Sequence, residues 1–169
     1  AIELILTVVL LFMFLGERKG GNTDEMLFTR DIVWYSALNI HYAIGVDGIS
    51  VLMLLLTSVI VFTGTFASWN MKPLPKDFFM WLTLLSIGVY GFFISLDLFT
   101  MFFFYEIALI PMYLLIGLWG TGRKEYSAMK LTLMLMGGSA FLFVGILGIY
   151  FNSSTTGEYT FNILQIAKN

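Results

Sequence analysis

Apolar positions in this chain come in long unbroken runs, without the 3.6-residue or two-residue alternation of a half-buried helix or strand. Four runs reach the roughly 20 residues that a helix needs to cross a bilayer: residues 49–69, 78–96, 98–119 and 126–151. A fifth, residues 1–15, is shorter and holds Glu3 near its start. It has neither a basic leading segment nor a small-residue cleavage site, so it predicts a transmembrane helix whose beginning is cut away and not a signal peptide. With no initiator Met and an end soon after a span, the chain is expected to be a fragment of a longer protein.

Polar residues fill the gaps. Of the 20 charged residues, 17 lie in the connections, and only Glu3, Glu106 and Lys130 fall inside the five runs. Residues 16–48 form a mixed-charge linker that opens with Gly20, Gly21 and Asn22 and is expected to lie in water on the outer side. Residues 70–77 hold Pro73 and Pro75 and predict a stiff turn. The connection around Asp97 is so short that its two spans must be antiparallel neighbours. Residues 120–125 carry Gly120 and Gly122, which suit a helix C-terminus. Lys72, Lys76, Arg123 and Lys124 fall on one side if the spans alternate, which makes that side cytoplasmic. Trp69, Trp81, Trp119 and Tyr126 then gather near the inner interface, where amphipathic rings prefer to sit. Residues 152–169 form a polar tail on the outer side, with Tyr159 to Ile163 as one extended-looking patch.

Composition sharpens this picture. Hydrophobic residues make up 59% and charged residues 12%, against roughly 25% charged in a soluble domain, which predicts an all-α integral membrane bundle. A net charge of −2 offers no basic face for nucleic acid. The absence of Cys removes thiol catalysis, thiolate metal sites and iron–sulfur ligation, and a single His cannot build a haem pair or a zinc cluster. No phosphate-binding or dinucleotide motif and no nucleophile–base pair is present, so redox or hydrolytic chemistry falls to partners.

Candidate chemistry concentrates at Glu106, near the middle of its span in the run Phe102 to Pro111. A carboxylate there costs at least about 2.5 kcal/mol on insertion scales, and intramembrane ionisable groups are functional by default. Proton uptake or a nearby cation can offset that cost. Pro111 cannot donate to the carbonyl of Ile107, which frees that oxygen and predicts a kink beside Glu106. A mid-membrane acid beside a loosened turn suits a proton or ion relay; a structural Glu hydrogen-bonded to another helix is the alternative. Lys130 sits about one turn inside its span, where it either snorkels to the inner interface or serves as a second proton station. Glu106 is ~20 Å and Lys130 ~6 Å from the inner ends of their helices, so a direct pair is not expected without water between them. Asp47 is placed to cap the following span, and His41 reads as a surface histidine with no second ligand beside it. Gly88, Gly91, Gly137, Gly138, Gly145 and Gly148 read as packing positions between helices.

The run Val46-Asp47-Gly48-Ile49-Ser50, then Ala67-Ser68-Trp69, then Phe104-Tyr105-Glu106 through Ile110-Pro111-Met112-Tyr113 to Leu118-Trp119-Gly120, resembles the antiporter-like membrane subunits of respiratory complex I. Ala128-Met129-Lys130, Gly138-Ser139-Ala140 and Tyr159-Thr160-Phe161-Asn162 extend the likeness over nearly the whole chain. The resemblance implies a proton channel built from inverted five-helix repeats and driven by quinone reduction elsewhere. It also implies other complex I membrane subunits and the lipid bilayer as partners. NADH, flavin, iron–sulfur clusters and quinone would be held by partner subunits, with no cofactor in this chain. A bacterial cytoplasmic membrane or an organellar inner membrane is the expected location. In the family the Glu matching Glu106 is a core relay residue and its partner is a Lys two helices later. That partner helix, the first helix and the second repeat are not found here, so the chain is expected to be an N-terminal portion that does not pump alone. The multisubunit cation/proton antiporters share the Glu-Pro helix and form the alternative, with a non-transporting scaffold as a third reading.

Overall fold

The computed structural model describes residues 2–21, 24, 26–36, 39–70, 72, 74–153 and 159–167. Asn22, Pro73 and Glu158, named above in the linker, the stiff turn and the outer side, lie outside the described residues. The order of elements is α1 (Ile2–Lys19), β1 (Leu27–Tyr35), β2 (Ile40–Val46), α2 (Gly48–Ala67), α3 (Pro75–Ile94), α4 (Leu98–Trp119), α5 (Lys124–Asn152) and the single turn α6 (Ile163–Ile166). Helices α2 to α5 are long and apolar enough to cross a membrane. Their abundant exposed Leu, Ile, Met and Phe side chains suit lipid or neighbouring helices as solvent and not water. Helix α1 runs four residues beyond the expected end at residue 15, and takes in Glu17, Arg18 and Lys19.

Local chemistry sets the helix ends. Asp47 caps α2, its carboxylate accepting from the Ser50 amide at 2.6 Å. Pro75 opens α3, preceded by Leu74 in the left-handed region at φ 59°. Asp97 caps α4 by accepting from the amides of Phe99 and Thr100. The Asp carboxylates accept from amides that have no partner inside the helix, and proline at a first helical position removes one such amide hydrogen.

Between α3 and α4 the contact is close. A Cβ on Gly88 would stand 3.0 Å from the Cβ of Ala108, and one on Gly91 would overlap the ring of Phe104. These two glycines let the backbones approach as small residues do in lipid. Gly137, Gly138, Gly145 and Gly148 of α5 have nothing within 4 Å of a built Cβ, so among the described residues nothing packs closely on them.

The linker departs from its expected form. Residues within 16–48 fold into an antiparallel hairpin of β1 and β2, with Leu27 opposite Val46 and Val33 opposite His41. Register shifts interrupt the ladder between Leu27 and Arg30 and between Val33 and Tyr35, and Phe28 has φ 55°. Leu27 and Val46 are buried with Phe14, Val51 and Leu54, so hydrophobic burial holds the hairpin onto α1 and α2. The tail packs against the end of α5 and the turn between α3 and α4. Thr160, Phe161 and Asn162 are buried, and the Phe161 ring stacks on Tyr150 with centroids 4.1 Å apart. Ile40, Ile146, Tyr150 and Phe161 form the second buried cluster.

Hairpin, tail and spans meet at the turn between α3 and α4. The Leu96 amide donates to the Ala43 carbonyl, the Leu98 amide to Phe161, and the Ile163 amide to Leu96. Thr100 Oγ1 donates to the His41 carbonyl at 3.1 Å. This lacing fixes the N-terminal end of α4, the helix that carries Glu106.

Candidate functional site

Glu106 lies nine residues, or about 13 Å of helical rise, inside the capped end of α4. Its side chain enters a groove of about 470 Å³ between α4 and α5, lined by Phe103, Glu106, Ile107, Leu109, Ile110 and Tyr113 from α4 and by Thr132 and Met136 from α5. At ~30 Å³ per molecule that space admits several waters. Glu106 Oε1 is buried and has no hydrogen-bond partner among the described residues. Leaving a buried acceptor unmade costs about 1–3 kcal/mol, and more for a charged group. The groove's other lining side chains are apolar except for Tyr113 and Thr132, and among the described residues none of them satisfies this oxygen. An acid in that position can take up and release a proton without disturbing an existing bond.

Pro111 is among the most completely buried side chains, and α4 runs on through it. Its ring nitrogen has no hydrogen to give to the Ile107 carbonyl, so the residue next to Glu106 lacks its i to i+4 intrahelical bond.

Lys130 stands elsewhere. It is exposed on α5, with Nζ 6.0 Å from the centre of the Tyr126 ring, and does not line the groove. Two residues along a helix turn the direction by about 200°, so Lys130 and Thr132 project on opposite faces of α5. The structure therefore does not bring Glu106 and Lys130 together. Thr132 was not singled out in the sequence, although that same helical phase would have picked it out as the residue facing α4.

At the N-terminal end of α4, Asp97 is fully buried and its Oδ2 also accepts from the His41 amide at 3.3 Å. Burial pushes its carboxyl above the ordinary 3.8, against the pull of the Thr100, His41 and Phe99 amides and of His41's charge. His41 is better held than a surface histidine. Its Nδ1 lies 2.6 Å from Asp31 Oδ1 and its Nε2 2.8 Å from Asn39 Oδ1, while Asn39 Nδ2 donates to the Tyr159 carbonyl. Sequence reasoning treated Asp97 only as a short connection; its signal was an Asp directly before a long apolar run. Among the described residues no three of His, Cys, Asp or Glu converge as a metal's ligands would.

Comparison with known proteins adds the following. Residues 95–169 match the family described as "NADH:quinone oxidoreductase/Mrp antiporter, TM". The chain is 36% identical over 134 residues to the chloroplastic NAD(P)H-quinone oxidoreductase chain 4 of Angiopteris evecta, covering 78% of this chain and 27% of that one. With the same chain of Chara vulgaris it shares 35% over 157 residues, covering 93% and 32%. In respiratory complex I from Thermus thermophilus with bound NADH, one chain superposes with a TM-score of 0.79 at 23% identity, over 96% of this chain and 32% of that one. A chain of the membrane-bound sulfane sulfur reductase, an archaeal respiratory membrane complex, superposes with a TM-score of 0.63 at 25% identity, over 98% and 33%. The chain thus spans about a quarter to a third of the length of these proteins.

Proposed function

We propose, from the premise that this chain belongs to the antiporter-like membrane family of NADH:quinone oxidoreductases and Mrp antiporters, that it is part of a proton-translocating subunit of NADH–quinone oxidoreductase. The subunit is of the kind called chain 4 in the chloroplast relatives and subunit M in bacteria. The chain is an integral membrane protein, mostly helical, with four helices able to span. Its role is to carry protons while quinone reduction takes place in partner subunits, which also hold the NADH, flavin, iron–sulfur and quinone sites. The remaining membrane subunits of the complex are its partners.

The observation that carries this reading is the mid-helix carboxyl of Glu106 beside the α4–α5 groove, whose buried Oε1 has no hydrogen-bond partner among the described residues. A scaffold carboxyl that only ties helices together would spend its acceptors on a neighbour. Pro111 supports the relay role by freeing the Ile107 carbonyl beside it. Lys130, pointing away from the groove, enters as a station only toward a helix on the far face of α5.

The family also includes the Mrp antiporters, so a cation/proton antiporter subunit is the competing reading; the relatives matched over most of this chain carry the quinone oxidoreductase name and favour the first. The test is dye-reported acidification of membrane vesicles containing the full-length subunit, energised either by NADH or by a sodium gradient. The proposal expects NADH-driven acidification that Glu106→Gln lowers, with the complex still assembled. Acidification driven by sodium alone, equally sensitive to Glu106→Gln, would assign the chain to the antiporter class.

A further inference from the structure

A second carboxyl lies among the helices, apart from the α4–α5 groove. Glu3 of α1 opens onto a cavity of about 410 Å³ walled by α1, α2 and α3, where Ser58, Thr65 and Thr83 supply the polar surface. The Tyr90 hydroxyl of α3 donates to Glu3 Oε2 at 3.5 Å. Thr7, one turn along α1, places its Oγ1 2.8 Å from Ser58 Oγ. Ser58 stands near the centre of α2 and is almost wholly buried, so the polar seam reaches the middle of the membrane.

The hydroxyls are committed in one direction. Ser58 donates to the Leu55 carbonyl, Thr65 to Val61 and Thr83 to Phe79. Each has one proton to give, so Thr65 and Thr83 turn oxygen lone pairs to the cavity, while the buried Ser58 oxygen also accepts from Thr7 Oγ1. Together with a carboxylate they form an acceptor-lined wall, which favours a donor species as occupant. One carboxylate falls short of the several that a hard divalent cation gathers. Of the titratable groups on the packed elements, α2 has none, and α3 adds Lys76 and Asp77 in its first turn besides Tyr90.

We propose that Glu3 is a second intramembrane proton site, loaded by hydronium from the α1–α2–α3 cavity. In the step, hydronium gives one proton to a carboxylate oxygen of Glu3, leaving water and a neutral carboxyl; the reverse step returns the carboxylate, which the Tyr90 hydroxyl steadies. The site shares no lining residue with the Glu106 groove, so it holds whether or not Glu106 is a relay.

The experiment is pH-difference infrared spectroscopy of the assembled complex containing the full-length subunit. Wild type should show a carboxylic C=O band that is lost in Glu3→Gln, shifted in frequency in Tyr90→Phe and retained in Glu106→Gln. If Glu3→Gln does not assemble, Glu3→Asp keeps the carboxyl and should move the band. A Glu3→Gln or Glu3→Asp spectrum identical to wild type would overturn the proposal, as would a band that responds to sodium at fixed pH and not to pH. Intact coupled pumping in Glu106→Gln beside a retained Glu3 band would sink the Glu106 reading and leave this one standing.

Discussion

Asp97→Ala removes the acceptor on which the corner at the N-terminal end of α4 converges. Its Oδ1 takes the Phe99 and Thr100 amides at 3.0 and 3.1 Å and its Oδ2 the His41 amide at 3.3 Å. Loss of a helix cap costs about 0.5–2 kcal/mol, and a buried amide left without a partner about 1–3 kcal/mol. Together these weaken the corner by about 2–4 kcal/mol. The amides of Leu96, Leu98 and Ile163, which bond across it to Ala43, Phe161 and Leu96, report its local opening by hydrogen exchange. At ~1.4 kcal/mol per decade they should exchange about 30- to 700-fold faster. Asp97→Asn keeps Oδ1 as the cap for the Phe99 and Thr100 amides but puts an NH2, which cannot accept from the His41 amide, in place of Oδ2, so it should accelerate exchange by an intermediate amount. Less than about threefold change in all three amides of Asp97→Ala would refute the argument.

The pH dependence has a definite sign. Because burial raises the Asp97 carboxyl above its unfolded value, the native state holds the proton more tightly than the unfolded chain. Stability from this group is then greatest below the unfolded value and falls as pH rises through the raised one. Mild acid should therefore not loosen the corner through Asp97, once exchange rates are corrected for the intrinsic effect of pH.

Three further outcomes follow from the packing. Gly91→Ala drives a Cβ into the Phe104 ring and should destabilise the α3–α4 pair by about 1–3 kcal/mol, read as a lower melting temperature of the assembled complex. Met136→Trp fills the groove that Glu106 faces and should slow coupled proton uptake in vesicles while native gels show normal assembly; unchanged uptake would place the proton path elsewhere. Lys130→Ala, at an exposed position facing away from α4, should leave α4–α5 stability within about 0.5 kcal/mol by thermal melting.

Helix α4 was legible to the residue because Asp97 and Gly120 bracket an unbroken apolar run, and length with hydropathy was enough for the other three spans. The hairpin was not legible because its bulges and the left-handed Phe28 break the two-residue alternation that marks a strand. In the tail, polar neighbours mask Phe161, whose burial comes from stacking on Tyr150 of the preceding helix α5. Glu106 stood out as a charge within a span, but the emptiness around its Oε1 is a property of which residues α5 turns toward it. Glu3 stood out too, whereas its link to Tyr90, 87 residues away in sequence, appears only on packing α1 against α3.

The most direct measurement is the number of protons taken up per quinone reduced, in vesicles carrying the assembled complex with Glu106→Gln in the full-length subunit. The substitution keeps the shape and removes the exchangeable carboxyl proton. The account predicts a lower proton-to-quinone ratio with the complex fully assembled. A wild-type ratio at wild-type turnover would contradict it and reduce Glu106 to a structural carboxyl.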